Sequence, residues 1–449
     1  MASDKAIDGA TTWRQTAQTL TEQALFLAQP AALPDIAFQW QWQLARLAKA
    51  EDNTDAAIAH YKQAVKTLEA VRGNLLTVDS DVQFSFRDNV EPVYRELVDL
   101  LLRPDEPSQN DLKEAIRYID TLQLRELENF LQCSLATVEL TETIVDSSAA
   151  NIYGILLKDR IEVIISRPEQ DLRNHKHFIT QADFENRLTT LQQDLRSPAG
   201  TNRAKPTSAD LYDWLIRPFE SVLDTATELE QSDVKILTFV LDTSLRDIPM
   251  GVLYDDARER YLLDRYAIAT VPSLRVIEPE PLSRQLSIFA GGTSQELEHT
   301  FRDLRLPHLQ AVATHGEFSS DPERTFIMLA DAHLNARDID ALLRIGRDQE
   351  GIKMLVLSAC KTATGDKLAT LGLAGLTVRA GSRSTLATLW QVDDTSTAAL
   401  MQAFYQTLKD SPEISKVEAL RRAQLSLRAN PNWQSPLHWA PYVMVGNWQ

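Results

Sequence analysis

Only two of the 449 residues are cysteine, Cys133 and Cys360. A disulfide framework is therefore excluded, and Cys360 is free to act as a reduced thiol. Long apolar runs are missing as well. No stretch approaches the roughly 18 to 20 residues that cross a bilayer, and Met1 to Gly9 carries neither a basic nor an apolar leader region. The expected location is the cytoplasm, with no membrane partner. Positive charge is scarce: 46 Lys and Arg stand against 63 Asp and Glu, a net charge of −17. A nucleic-acid surface needs a clustered basic face, so nucleic acid is not an expected partner. Glycine is almost absent from the N-terminal third, where Gly9 and Gly73 stand alone as far as Val145.

What is present has the profile of a globular protein long enough for two or three domains, with 44% hydrophobic and 24% charged residues. The N-terminal part is predicted to be all helical, over Thr12–Ala28, Asp35–Lys49, Thr54–Arg72, Phe84–Leu102 and Asn110–Cys133. Leu44, Ala45, Ala48, Ala57, Tyr61 and Ala64 fall at the spacings of the packing residues of a tetratricopeptide repeat. Small residues at helical spacing also suit an ordinary helical hairpin, and both readings stay open. Cys133 lies in a helical pattern with Leu127, Phe130 and Leu131 and reads as core packing.

Beyond Thr143 the pattern changes to strands alternating with helices, which predicts an α/β fold, a mostly parallel sheet flanked by helices. The expected domains are a helical region over 1–142 and an α/β domain over 143–449. Ile152–Leu157 and Ile161–Ser166 read as a hairpin, while His175 and His177 fall in a polar loop and Ser197–Pro206 in another. Helices are predicted at Gln181–Leu195, Ala209–Thr225, Ala336–Arg344, Ala369–Ala380, Thr395–Lys409 and Lys416–Asn430. Apolar runs at Ile236–Leu241, Leu286–Ala290, Leu309–Ala313, Met354–Leu357 and Ser384–Leu389 read as buried strands, and Tyr442–Val445 as a strand at an edge.

Two of these runs end on reactive side chains. Leu309–Ala313 delivers His315 followed by Gly316, and Met354–Leu357 delivers Cys360. Open α/β sheets build their sites at the carboxyl ends of strands, so neighbouring strands would bring this pair to one rim. A thiol with an ordinary pKa of about 8.5 is only a few per cent thiolate at pH 7, and a histidine within reach supplies the missing deprotonation. The backbone N–H groups of Gly316 and Cys360 are candidate oxyanion-hole donors. Lys361 is placed to lower the thiol pKa electrostatically. His299, His308, His333 and His438 have no partners at metal-ligand spacing, and Gly291-Gly292 lacks the Lys-Ser/Thr of a phosphate loop, so neither metal nor other cofactor is expected.

Several ordered motifs resemble the CHAT family, caspase-like domains found in bacteria beside tetratricopeptide repeats. They are Ala313-Thr314-His315-Gly316, the run from Leu357 through Cys360 to Gly365, the run from Ala380 to Asp394, Leu245 to Met250, Tyr261 to Tyr266 with Pro272-Ser273-Leu274, and the ending from Trp439 to Gly446. The resemblance implies a cysteine endopeptidase of the caspase and separase type, with His315 and Cys360 as its dyad. It implies cleavage of a protein or peptide substrate, and regulation by a protein partner held by the helical region. In separase-like relatives an acidic group past the next strand helps hold a basic P1 side chain. Asp393 and Asp394 are the candidates here, with Trp390 as pocket wall or core filler. Of the two carboxylates, Asp394 is the expected cap of the following helix and Asp393 the expected pocket residue. The chain departs from the family in having Lys361 after the cysteine and a short stretch over 293–310. A shortened wall beside His315 leaves a second class open, a catalytically inactive caspase-like scaffold for protein binding.

Overall fold

A computed structural model describes residues 2–28, 34–75, 86–131, 146–223, 234–274, 288–291, 309–318, 326–328, 333–335, 354–362 and 384–449. For 288–291, 309–318, 326–328, 333–335 and 357–362 it describes backbone course and strand pairing. The chain divides into two compact units, Met1–Ser134 and Leu135–Gln449. The predicted boundary at 142/143 lies outside the described residues, as do Cys133 and the predicted helices Ala336–Arg344 and Ala369–Ala380.

The first unit is all helical: α1 (Ala2–Ala28), α2 (Pro34–Ala50), α3 (Thr54–Leu75), α4 (Glu91–Leu101) and α5 (Gln109–Leu131). A π turn over Phe86–Val90 leads into α4. Pro92 falls in the first turn of α4, where its missing N–H is not needed. Leu44, Ala45 and Ala48 of α2 and Ala57, Tyr61 and Ala64 of α3 are all buried. The second hairpin repeats that spacing with Leu97, Val98 and Leu101 against Ala115, Ile119 and Leu122, again all buried. Two helical hairpins with the same spacing of buried residues therefore follow one another, α3 packing on α4.

Reciprocal carboxylates tie the hairpins together. Glu96 of α4 accepts from Trp42 Nε1 at 2.8 Å, Arg46 Nη2 at 2.7 Å and the Tyr61 hydroxyl at 2.7 Å. Glu69 of α3 accepts from the Tyr94 hydroxyl at 2.6 Å and Arg125 Nε at 2.9 Å. Burial pushes the Glu96 carboxyl up, but the three donors together outweigh it and hold it below the usual glutamate value.

The second unit opens with β1 (Ala149–Leu156), β2 (Arg160–Ser166) and β3 (Arg173–Phe178), followed by α6 (Gln181–Leu195) and α7 (Thr201–Leu215). Strand β4 (Ile236–Leu241) and β7 (Ala267–Val271) flank a small separate ribbon of β5 (Tyr254–Asp255) and β6 (Arg260–Tyr261). Then come β8 (Ile288–Gly291), β9 (Leu309–Phe318), β10 (Phe326–Met328), β11 (His333–Asn335), β12 (Met354–Thr362) and β13 (Ser384–Thr388). The chain closes with α8 (Asp394–Asp410), α9 (Lys416–Ala429), the single turn α10 (Pro436–Trp439) and β14 (Tyr442–Gly446).

All strands but β5 and β6 join one sheet in the order β11-β10-β9-β12-β13-β14-β7-β4-β1-β2-β3, with β8 also beside β9. Its interior is two parallel blocks, β8/β9/β12/β13 and β14/β7/β4/β1. The blocks run in opposite directions and meet at the antiparallel pair β13–β14. Every residue of β4 and β13 is buried, as expected for parallel strands covered on both faces.

Three expectations need correction. His175 and His177 lie in β3, not in a loop. An edge strand keeps polar residues because charge discourages further pairing, so it has no apolar alternation to read. Tyr442–Gly446 is not at an edge; it joins the two blocks and is largely buried. Helix α7 starts at Thr201, within the predicted loop, and contains Pro206; Arg203 holds its first turn, Nε donating to Asp194 Oδ1 at 2.7 Å.

Candidate active site

The two reactive positions meet through strand register. From Met354↔Leu309 to Leu357↔Val312, β12 and β9 run in step; the register then shifts, and Ala359 pairs with His315 and Cys360 with Gly316. Across the shift β9 uses Ala313 and Thr314 where β12 uses Ser358 alone. This is a β-bulge directly before His315, a device that bends and twists a strand locally and recurs beside active sites. His315 and Cys360 are thus one register step apart on neighbouring parallel strands. Strand spacing and rise put their Cα atoms about 6 Å apart.

Both strands run further than the apolar runs foretold, to Phe318 and Thr362 rather than Ala313 and Leu357. Ladder pairing uses the backbone and tolerates polar residues once flanking cover ends. Among the described residues, strand β8 pairs with β9 over Leu309–Val312, and β13 pairs with β12 at Leu355 and Val356. The dyad positions therefore project beyond the body of the parallel block, at its carboxyl rim. There β10 takes over beside β9, and Gly316 is bracketed by Cys360 on one side and Ile327 on the other. Residues 292–308, between β8 and β9, exceed the dozen or so that a parallel crossover requires.

Because β13 is parallel to β12, its end reaches the same rim. Trp390 is buried at 5% exposure, its Nε1 donating to the Leu437 carbonyl at 3.1 Å, with the Arg196 guanidinium 5.8 Å from its ring centroid. Asp393 and Asp394 follow, both exposed. The expected cap assignment is corrected: Asp393, not Asp394, caps α8, its Oδ2 accepting from the Ser396 N–H at 2.9 Å. Asp393 has the extended ψ of 136° that a cap residue needs, whereas Asp394 is already helical.

Sequence reasoning missed the polar cluster behind this cap. Ser396, fully buried, donates through Oγ to the Asp393 carbonyl at 3.0 Å, and His438 Nδ1 stands 3.3 Å from the same Oγ. The Tyr442 hydroxyl donates to Thr397 Oγ1 at 2.8 Å, and burial pushes its pKa up to about 12. The available signal was position: His438 immediately precedes the motif from Trp439 to Gly446 and Tyr442 lies within it, but His438 was weighed only as a metal ligand. Among the described residues no group of three or more His, Cys, Asp or Glu side chains is placed to hold a metal ion. No described helix is long and apolar enough to cross a membrane. His299, His308 and Gly292 lie outside the described residues.

Residues 205–312 and 279–447 match the model of the CHAT domain, together more than half of the chain. The chain belongs to the CHAT family. The sequence matches none of the curated proteins. Two solved structures of the Saccharomyces cerevisiae separase-securin complex resemble this CHAT chain, with TM-scores of 0.52 and 0.51 at 10% and 11% identity. Each alignment covers 88% of this chain, but only 37% and 38% of the separase-securin chain matched. The CHAT chain thus spans little more than a third of the length of those neighbours. At this identity the likeness speaks for the fold, a caspase-like α/β sheet preceded by helices.

Proposed function

We propose that the protein is a cysteine endopeptidase of caspase and separase type, with His315 and Cys360 as its dyad. The observation that supports this most is the parallel pairing of β9 with β12, which carries His315 and Cys360 to the same carboxyl rim of a CHAT-family sheet. In this reading His315 takes the proton of Cys360, or holds the thiolate as imidazolium, and later protonates the leaving amine. The thiolate adds to the scissile carbonyl, and backbone N–H groups at Gly316 and Cys360 receive the developing oxyanion. Each such donor is worth roughly 3 kcal/mol. Lys361, next to the nucleophile, favours the thiolate by charge. Asp393, exposed at the same rim, selects a basic P1 side chain, with Asp394 adding negative charge and Trp390 forming the floor between them. The helical hairpins carry the surface on which a regulatory protein partner acts. The activity belongs in a reducing compartment such as the cytoplasm.

The test is cleavage of peptides bearing Arg, Lys or Asp at P1, with and without cellular extract as activator, by the wild type and by Cys360→Ala and His315→Ala. Cleavage of the basic peptides by the wild type alone is expected. Equal cleavage by Cys360→Ala, or none by any form under either condition, would sink the proposal.

A further inference from the structure

Asp393 is held from behind by a chain of hydrogen bonds that ends on a titratable ring. Ser396 has one hydroxyl proton, and it is directed at the Asp393 carbonyl at 3.0 Å. The Ser396 oxygen is then left to accept, so the His438 nitrogen 3.3 Å away is the one that carries hydrogen, Nδ1–H. The remaining basic site is Nε2. Protonation there adds a positive charge without breaking the contact to Ser396.

We infer that His438 is a positioning residue for Asp393, one whose protonation sets a cation beside that carboxylate and weakens its hold on a basic P1 side chain. The inference rests on Asp393 serving as the P1 acid. Helices α8 and α9 pack against α10; Tyr261 of β6 meets its Trp439 edge-on, ring centroids 5.2 Å apart, and the uncharged Trp390 donates to its Leu437 carbonyl. From α8 the charges are Asp393 and Asp394 at its start, and Asp393 is the one that acts on the ring, opposing burial. From α9, Glu418 is paired with Arg421 and Arg422, while Arg428 is paired with Asp264 and lies 6.0 Å from the neighbouring Trp439 ring centroid. Burial lowers the His438 pKa more than Asp393 raises it. The ring is therefore neutral at neutral pH and gains charge only on acidification, below the ordinary histidine value of about 6.5. Capture of Arg or Lys at P1 is strong in the neutral range and declines in the acid range.

Two measurements test this. The first takes kcat and KM for paired peptides with Arg or Gln at P1 between pH 5.5 and 8, in the wild type and in His438→Asn; taking the ratio between peptides cancels the titration of the dyad itself. The wild-type Arg/Gln ratio of kcat/KM is expected to fall about tenfold toward pH 5.5, a loss carried by KM, as one opposing charge beside a carboxylate can produce. His438→Asn, which keeps a donor but cannot titrate, should hold the ratio flat. The second, independent of any cleavage, follows ring carbons of labelled histidine by NMR, with His438 assigned by its variant. Asp393→Asn is expected to lower the His438 midpoint. A His438→Asn ratio that falls in parallel with wild type, or a His438 midpoint unmoved by Asp393→Asn, overturns the inference. If no peptide is cut, the protease reading fails, and the NMR comparison still decides the coupling.

Discussion

Asp393 has two separable roles, and a pair of substitutions at this position distinguishes them. As the cap of α8 it accepts the Ser396 N–H at 2.9 Å; as the P1 acid it supplies a negative charge at the rim. Asparagine caps about as well as aspartate, whereas loss of the cap to alanine costs about 1 kcal/mol. Asp393→Asn should therefore melt within about a degree of wild type. Asp393→Ala should melt about 2 °C lower, since a unit of this size spreads the loss over a large unfolding entropy. The charge behaves differently. A hydrogen bond to a charged partner is worth about 1.5 to 3 kcal/mol, or roughly 10- to 150-fold in kcat/KM. The carboxylate is exposed, and screening places the expected effect near the lower figure. Both variants should thus lose about tenfold or more for Arg-P1 over Gln-P1 peptides, while only the alanine variant loses stability. Paired calorimetry and peptide kinetics read the two effects. An asparagine variant that keeps the basic preference would leave Asp393 as a cap alone.

Further outcomes follow from the described packing. Glu96→Gln removes the charge that Arg46, Trp42 and Tyr61 converge on, and should cost the helical unit about 1 to 3 kcal/mol in urea unfolding at pH 7. Because the folded Glu96 carboxyl lies below its ordinary value of 4.5, its stabilisation is full above that value. It is lost as pH falls through the folded value. The wild-type advantage over Glu96→Gln should therefore shrink below pH 4.5, and an advantage that is constant with pH would refute the clamp. Gly154→Val tests the β1–β4 packing: a Cβ there comes within 3.1 Å of Leu241 Cδ2 and 3.3 Å of Leu245 Cδ1. Overpacking should cost about 1 to 3 kcal/mol, and a neutral result would contradict that contact.

The order of helices and buried strands was legible because burial writes periodicity into sequence. Ile236–Leu241, apolar but for Thr238, reads as a covered strand, and the small residues at Ala57 and Ala64 marked the first hairpin. The second hairpin was passed over because the connection from Leu101 to Ala115, with Pro104 and Pro107, is longer than that from Ala48 to Ala57. Strand β3 went unread since Arg173, Asn174 and Lys176 carry the polarity of an edge rather than a core. At the site, the pairing of Leu309–Ala313 with Met354–Leu357 was foreseeable from their apolar runs. The bulge before His315 was not, because register is set by partners distant in sequence. The exchange of cap and pocket roles between Asp393 and Asp394 turned on one ψ angle. The link from Asp393 through Ser396 to His438 depends on α10 folding back across the start of α8, which no local pattern announces.

The dyad itself is tested most directly by the pH dependence of alkylation of Cys360, measured site by site with a free cysteine peptide as the reference. A thiolate stabilised by an imidazolium reacts with a midpoint well below that of a free thiol, which lies near 8.5. The wild type should give a Cys360 midpoint below about 7.5, and His315→Ala should return it toward 8.5. A Cys360 midpoint near 8.5 in the wild type, unchanged by His315→Ala, would contradict the pairing of these two residues.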